Sequence, residues 1–401
     1  MPDTITTMNK ILSIILLLTG VLTLTACHDK SEDEHLPLAR RTVIVYMMAE
    51  NSLSNPYCQN DINEMIAAQA DIPLDCNFVV YCDNTQKPYI FTIDRQRGRT
   101  LVQTLEEHNS TDSATFVANM RSIMHQYPAH HYGLVMWSHG SGWIPQHKAP
   151  AKTIGIDNMQ NSSYSNRGSE MNITTMRNCL ENIGAHFDYI LFDACFMQCV
   201  EVDYELHNVA DFVIASPAEI PANGAPYNLI MPALMSDTLA AHRIADIYYE
   251  HCTSGSKPSE RTGLIISVAD CAKMPALLDV TRRLLPDFYT TDIQTTALQS
   301  YAPWSHITGW MPEFYDMGST MNQILPMSDY TTWAEAMDEA YPVRHCSKTW
   351  VSDYSSVFLP VISDSVHFAG ASIFIPQMRY NAQDYNSAIR QTLWYKDYTR
   401  R

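Results

Sequence analysis

A histidine and a cysteine each follow a separate apolar segment of the sequence, and the pair could perform nucleophilic hydrolysis. The segment Tyr132–Trp137 is followed by SHGSGW, which contains His139, and Phe187–Phe192 is followed by DAC, which contains Cys195. A thiolate attacks carbonyl carbons, and a histidine can take the thiol proton and return it to a leaving amine. The backbone amides of Gly140 and Cys195 could then stabilise the charged oxygen of the tetrahedral intermediate.

Each of these residues also has a simpler interpretation without a chemical role. A cysteine after a strand is commonly a small buried apolar residue, and a histidine in a loop is commonly solvated. The neighbouring residues favour chemistry, because Gly140 and Gly142 would let the backbone approach a bound ligand closely. A helix predicted at Phe196–Leu206 would place its N-terminal amides beside Cys195, where they favour a thiolate over a thiol.

The two apolar segments belong to a repeating order of strands and helices. Buried strands are predicted at Thr42–Met48, Asn77–Cys82, Tyr132–Trp137, Phe187–Phe192, Phe212–Ala215 and Gly263–Val268. Helices are predicted at Asp61–Ala70, Thr111–Tyr127 and Ile173–Asn182, and a hairpin joins Tyr89–Asp94 to Thr100–Leu105. This order indicates an α/β fold with a mostly parallel sheet flanked by helices. Because ligands bind beyond the carboxyl ends of such strands, we expect His139 and Cys195 to meet at one sheet edge.

The regular order of strands and helices weakens after Asp270. Beyond it we predict helices at Met274–Leu285, Thr331–Glu339 and Asp384–Trp394, and a strand at Gly370–Ile375. The 401 residues are enough for one large or two ordinary domains. We therefore predict a main domain at 41–270 and a smaller C-terminal α+β portion at 271–401 packed on it, after a leader at 1–26 and a flexible tether at 27–40.

The N-terminus has the layout of a secretory signal peptide. Lys10 precedes an uncharged apolar run that ends in small residues before Cys27. The residues LTAC at this point are similar to the bacterial lipobox, in which the cysteine becomes the lipidated first residue of the mature protein. The run is short for an uncleaved membrane anchor. We predict a lipoprotein attached to the outer membrane or cell surface, with the periplasmic face and the exterior both left open.

Composition excludes several classes of protein. Apolar residues make up 46% of the chain, so it can bury a full core and is not a disordered or coiled-coil protein. The net charge of −17 makes nucleic acid an unfavourable partner. The 10 cysteines are too few for a disulfide scaffold, and none has partners at zinc spacing, so no metal ligands are predicted. The oligomeric state is left open, with a monomer favoured.

The blocks around His139 and Cys195 resemble those of the clostripain-like cysteine peptidases, which belong to the clan of caspases, legumains and gingipains. The blocks are WSHGSGW at 137–143 and FDACFMQCVE at 192–201. YMMAENSL at 46–53, DINEM at 61–65 and GAPY at 224–227 extend the resemblance, which covers most of 41–270. It implies a caspase-like fold with His139 as general base and Cys195 as nucleophile.

The resemblance also implies a specificity pocket for a basic side chain. Asp193 matches a family acidic position at the floor of this pocket, although it could equally cap the predicted following helix. Ser216 begins the substrate-side loop, in which Asn223 occupies a position where a second acid is expected. Either Glu219 substitutes for that acid, or the pocket carries less charge. A carboxylate pocket suits arginine, whose fork of donors matches it, so cleavage after Arg or Lys is expected.

Two further properties follow from the resemblance. Relatives process themselves, and the polar segment after His139 contains Lys148, Lys152 and Arg167, which are candidate cleavage points or ordinary loop residues. No cofactor is required by the chemistry. Calcium dependence occurs among relatives, and the resemblance makes a calcium ion possible here because the acidic surplus permits it, although the chain has no EF-hand loop.

The sequence therefore predicts a secreted, lipid-anchored cysteine endopeptidase that acts on proteins or peptides. Its rival is a surface-binding lipoprotein that has kept the fold and lost turnover. A third alternative is transpeptidation, which depends on excluding water from the acyl-enzyme.

Overall fold

A computed structural model describes residues 38–84, 87–144, 154–159, 168–255, 262–302, 312–352, 357–360 and 367–400. All of them belong to one unit of the chain, Leu38–Arg401. Within these residues, none of the helices combines the length and the apolar character that crossing a bilayer requires. The predicted signal peptide lies outside the described residues, as does Cys27.

A mixed nine-stranded sheet forms the centre of the described structure, in the order β12-β10-β9-β8-β5-β1-β2-β3-β4. Its strands are β1 (Ala39–Met48), β2 (Cys76–Asp83), β3 (Tyr89–Asp94), β4 (Gly98–Thr104), β5 (Ala129–Trp137), β8 (Phe187–Asp193), β9 (Ala210–Ala215), β10 (Ile265–Asp270) and β12 (Val343–Cys346). The five central strands from β9 to β2 are parallel, and the outer strands are antiparallel. Small two-stranded sheets pair β6 (Ile154–Asp157) with β7 (Ser169–Met171), β11 (Tyr315–Asp316) with β15 (Ser372–Ile373), and β13 (Thr349–Ser352) with β14 (Val357–Pro360).

Helices cover both faces of the sheet, as the α/β prediction requires. They are α1 (Gln59–Ala67), α2 (Ser113–Gln126), α3 (Ile173–Ile183), α4 (Val200–Leu206), α5 (Tyr227–Leu234), α6 (Ala240–Thr253), α7 (Met274–Leu284), α8 (Met317–Ile324), α9 (Met327–Ala340), α10 (Tyr385–Ala388) and α11 (Leu393–Thr399).

Strand β1 shows why the central strands are continuous apolar runs. Ile44 and Tyr46 pack on the face covered by α2 and α3, whereas Val43 and Val45 pack on the face covered by α1, α5 and α6. All four residues are fully buried. Successive side chains of a strand point to opposite faces, so a strand covered on both sides is apolar at every position.

Two predicted helices are wrong in extent. The helix predicted at Phe196–Leu206 begins only at Val200, and the helix predicted at Asp384–Trp394 is divided into the short α10, a 3₁₀ turn at Ile389–Gln391 and α11. The first difference bears directly on the candidate site. The C-terminal residues contribute β12 to the main sheet, paired with β10.

Candidate active site

Strand register brings His139 and Cys195 together. The parallel strands β5 and β8 pair with Trp137 opposite Asp193. His139 lies two residues beyond Trp137, and Cys195 lies two residues beyond Asp193, so they occupy equivalent positions past two adjacent strand ends. Both line one cavity of about 60 Å³. The expected meeting of the two residues at one sheet edge is thus what the structure shows.

The loop that carries His139 is fixed by hydrogen bonds with two neighbouring segments. The Ser138 hydroxyl donates to the Met48 carbonyl (2.7 Å) and accepts from the Ile156 amide (3.2 Å). The His139 carbonyl accepts from the Gly155 amide (3.0 Å). These bonds attach the loop to the end of β1 and to β6, so the backbone at His139 is held in place.

Sequence reasoning missed one partner of the histidine ring. The Ser52 hydroxyl lies 2.9 Å from His139 Nε2. Ser52 follows β1, the neighbour of β5 in the sheet, so the rule that predicted the meeting of His139 and Cys195 also applied to it. This contact orients the ring through Nε2.

Cys195 lies in a sharp turn and not at the start of a helix. Phe196 has a φ of +61°, in the left-handed region that non-glycine residues rarely adopt. Its amide donates to the Ala218 carbonyl (2.9 Å), and the Gln198 amide donates to the Ser216 carbonyl (3.0 Å). Because α4 starts at Val200, its dipole is not adjacent to the sulfur, and the predicted thiolate stabilisation by that helix is wrong.

One backbone amide does contact the sulfur. The Ile220 amide donates to Cys195 Sγ at 3.4 Å. Cys195 and Cys346 are the two partly exposed cysteines among the nine in the described part of the chain. Cys195 therefore combines solvent access with a polar donor, which suits a reactive thiol better than a structural one.

Gly140 and Gly142 lie where the histidine loop and the cysteine loop come closest to each other. A Cβ on Gly140 would lie 2.7 Å from the Cys195 carbonyl oxygen, and one on Gly142 would lie 2.8 Å from Cys199 Sγ. The missing side chains thus let the histidine loop and the cysteine loop approach each other. Both Cys195 and Cys199 precede α4.

Gly140→Ala is expected to slow peptide hydrolysis about 100-fold. The new methyl group must push the histidine loop and the cysteine loop apart, and displacement of reacting groups by about 1 Å has an effect of this size. Steady-state kinetics measures the loss. Gly184→Ala is the control: its φ is +76° but its Cβ contacts nothing within 4 Å, so it should lower only the melting temperature. Equal kinetic losses in both variants would contradict the proposed loop contact.

Asp193 lines the same cavity as the histidine and the cysteine. Its carboxylate accepts from the Ala225 amide (3.0 Å) and the Tyr227 hydroxyl (2.9 Å). It therefore binds the loop after β9 and caps no helix, so the capping alternative is wrong. Burial raises the pKa of Asp193 to about 6, against the lowering effect of these two hydrogen bonds.

A second buried acid lies behind the cavity and was not identified from the sequence. Asp61, on α1, is 1% exposed and accepts from Trp137 Nε1 at 2.6 Å. Burial, and then the nearby Asp193 carboxylate, raise the pKa of Asp61. A raised pKa favours the protonated form, so Asp193 carries the negative charge of this pair at neutral pH.

The other predicted substrate-side residues do not line the cavity. The Ser216 side chain accepts from the Ala218 amide (3.1 Å) and is buried, whereas Asn223 is exposed and Glu219 is half-buried. The cavity wall is instead formed on this side by Ile220, Pro221, Ala222 and Gly224. The candidate cleavage points Lys148, Lys152 and Arg167 lie outside the described residues.

One group of acidic residues near this edge could hold a metal. Oxygen atoms of Glu50, Asp83 and Glu107 all lie within 4.8 Å of one another. Burial, followed by the neighbouring carboxylates, raises the pKa of Asp83 to about 10. No metal ligand was predicted from the sequence, since these residues are far apart in it and form no known spacing.

Comparison with known proteins agrees with this geometry. A model described as the clostripain family matches residues 45–400. A secreted C11 cysteine protease from Bacteroides thetaiotaomicron, solved with an irreversible peptide inhibitor, is 29% identical with a TM-score of 0.77, covering 90% of this chain and 98% of that one. No curated protein sequence matches significantly.

Two more solved structures are similar over nearly their whole length. An inactive zymogen C11 protease from Parabacteroides distasonis is 26% identical with a TM-score of 0.74, covering 91% of this chain and 100% of that one. A second secreted C11 cysteine protease from Bacteroides thetaiotaomicron, iotapain, is 22% identical with a TM-score of 0.74, covering 91% of this chain and 100% of that one. At that identity iotapain supports the fold alone.

Proposed function

Since the chain belongs to the clostripain family and is a cysteine peptidase with the caspase-like fold, we propose that it is an endopeptidase with a Cys195–His139 dyad that cleaves after Arg or Lys. One observation carries the dyad: the two residues follow paired ends of β5 and β8 and line a single cavity with Asp193. The rival, a binding protein without turnover, has no specific observation in its favour.

In the first half of the reaction the enzyme is acylated. His139 takes the proton of the Cys195 thiol, and the thiolate attacks the carbonyl carbon of the peptide bond. The carbonyl electrons move to oxygen, where the amides of Gly140 and Cys195 stabilise the negative charge. When the carbonyl reforms, the C–N bond breaks, and His139 gives its proton to the leaving amine.

In the second half, water releases the acyl group. His139 takes a proton from water, and the resulting hydroxide adds to the thioester carbonyl. The C–S bond then breaks, and the thiolate is protonated by His139, so the enzyme returns to its initial state. Ser52 keeps one ring nitrogen bonded throughout, which fixes the ring plane while the other nitrogen exchanges protons.

The preference for basic residues rests on Asp193. Its charge lies in the cavity wall beside Cys195, where a guanidinium or ammonium group would find the carboxylate it needs. The cavity of about 60 Å³ has room for about two water molecules, less than an arginine side chain occupies. We expect the wall at Ile220–Ala222 to move outward when the substrate side chain binds.

Placement and processing are further parts of the proposal. Lipid on Cys27 would attach the mature enzyme to the outer membrane or the cell surface, on the periplasmic face or the exterior. The secreted relative supports export of this chain. Cleavage after Lys148, Lys152 or Arg167 by the enzyme itself would free the loop that follows His139, and the zymogen among the similar structures supports such a step.

The experiment is hydrolysis of fluorogenic peptides that differ only at the residue before the reporter. We expect cleavage with Arg or Lys at that position, and loss of all cleavage after treatment with iodoacetamide. Peptide mass mapping should place the modification that parallels this loss on Cys195, with Cys346 as the internal comparison because it is also partly exposed. A panel that is not cleaved, with an unmodified Cys195, would contradict the proposed function.

A further inference from the structure

Two cysteines lie against each other in the core, on the face of the sheet that α1 covers. Cys82 is near the end of β2, and Cys58 ends a single helical turn, Ser54–Cys58, that leads into α1. Their Sγ atoms are 3.6 Å apart. Cys58 is 1% exposed and Cys82 is 0% exposed, and both belong to the apolar cluster beneath α1. The two residues are therefore packed sulfur against sulfur.

This contact differs from those of other buried thiols in the chain. The thiols of Cys179 and Cys199 donate to backbone carbonyls, at 3.7 Å and 3.4 Å. A cysteine that only fills space in a core needs no sulfur partner. The hydrogen bond between the two thiols lowers the pKa of Cys82 and raises that of Cys58. Cys82 is therefore the sulfur that more readily becomes an attacking thiolate.

We propose that Cys58 and Cys82 form a disulfide bond in the exported enzyme. The sulfurs of a disulfide are about 2 Å apart, so the two side chains need to approach by only about 1.5 Å. The Cys82 thiolate attacks the disulfide of an exported thiol oxidase, and the Cys58 thiolate then displaces the oxidase sulfur from the mixed disulfide. The enzyme thiols lose two protons and two electrons, and the oxidase disulfide is reduced to a dithiol.

The bridge would be a permanent part of the core. Both sulfurs are shielded from solvent in the folded chain, so the exchange takes place during folding, before the core closes. Once formed, the bridge should resist mild thiol reductants that keep the Cys195 thiol free. Its formation rests on the proposed export, since bacterial thiols are oxidised outside the cytoplasm.

The bridge would also tie the loop after β1 to the neighbouring strand β2. Ser52, in this loop, lies 2.9 Å from His139 Nε2, and Leu53 lines the candidate active-site cavity. The Cys58 amide donates to the Leu53 carbonyl at 3.0 Å. A covalent link at Cys58 is thus one hydrogen bond away from the residues beside the dyad, and it restricts the motion of the loop that carries them.

Mass mapping of the exported chain tests the bridge. The full chain is produced in a bacterial host with its periplasmic thiol oxidase and in a host that lacks it. Free thiols are blocked with N-ethylmaleimide in guanidinium before digestion without reductant. The peptides of Cys58 and Cys82 should be joined in the first sample and separately alkylated in the second. Alkylation of both cysteines in the first sample, or a bridge from either to a different cysteine, would overturn the proposal.

Cell fractionation keeps this outcome apart from a failure of the proposed export. A chain retained in the cytoplasm would contradict the predicted leader, and the pair is then judged by refolding the reduced chain with oxidised glutathione and repeating the mass map. Absence of the joined peptides after that refolding would overturn the bridge. Peptide hydrolysis is measured in parallel, so an active peptidase without the bridge contradicts the disulfide alone.

Melting temperatures give a second readout that is specific to the pair. The wild type from the host with the oxidase should melt about 3–5 °C above the wild type from the other host, because a bridge between residues 24 apart restricts the unfolded chain. Cys58→Ser should lose this difference. Cys179→Ser is the matched control, a buried cysteine outside the pair, and should keep it. A difference that persists in Cys58→Ser, or disappears in Cys179→Ser, would overturn the proposal.

Discussion

Cys195→Ala should reduce kcat/KM for a basic peptide by roughly a million-fold, since removal of a nucleophile that acts together with its base leaves only binding and oxyanion stabilisation. The sulfur is the partly exposed group that shares a cavity with His139, and alanine removes it while leaving the turn at Phe196 intact. Progress curves at high enzyme concentration measure the residual rate. The variant should also remain a single chain on long incubation if the wild type cleaves its own loop.

The same experiment with His139→Ala separates a dyad from two independent residues. Removing the base should lower kcat/KM by about 10²- to 10⁴-fold. The double variant should be no slower than Cys195→Ala alone, because the effects of residues that act as one unit do not add. Cys346→Ala serves as the control and should keep the wild-type rate. Losses that multiply in the double variant would contradict a shared role for Cys195 and His139.

The sheet and the meeting of His139 with Cys195 could be predicted because both depend on local patterns. Strands β1, β2, β5 and β8 are uninterrupted apolar runs, which only a sheet covered on both faces explains. Once these strands were assigned as parallel, the edge rule placed His139 and Cys195 together. In the structure Trp137 pairs with Asp193, so His139 and Cys195 each lie two residues beyond paired strand ends. This register could not be read from either segment of the sequence alone.

The errors arise where tertiary contacts override local pattern. The residues after Cys195 are apolar enough to read as a helix, but Phe196 adopts a left-handed conformation and bonds to Ala218 instead. Asp61 lies close to Asp193, and Asp83 lies close to Glu107, although the members of each pair are well separated in the sequence. Nothing in the spacing of such residues in the sequence indicates that they meet.

Substrate preference should depend on Asp193 more than on any other residue of the cavity wall. Asp193→Asn is expected to lower kcat/KM for an Arg peptide by about 10- to 150-fold, because a charge-assisted bond worth about 1.5–3 kcal/mol is lost. The loss for a matched Leu peptide should be within about threefold. Parallel kinetics on the two peptides gives the ratio directly, and a melting curve shows whether the contacts with Ala225 and Tyr227 survive.

Asp211→Asn is the matched control for this change. Asp211 is an exposed aspartate on β9 that pairs with His186 at the surface, so its replacement should leave both peptides unaffected. If Asp193→Asn instead lowers cleavage of the Arg and Leu peptides equally, Asp193 only supports the loop after β9, and the basic preference must come from elsewhere.

The pH dependence of the same ratio tests the charge itself. Burial raises the pKa of Asp193 to about 6, so the group is neutral below this pH and anionic above it. The ratio of Arg to Leu cleavage should therefore rise as the pH increases from 5 to 7, and it should stay flat in Asp193→Asn. Titration of the dyad affects both peptides equally and cancels in the ratio. Because the raised pKa of Asp61 keeps that neighbour protonated, the change should follow a single ionisation. A ratio that does not vary with pH in the wild type would exclude Asp193 as the charge that selects basic substrates.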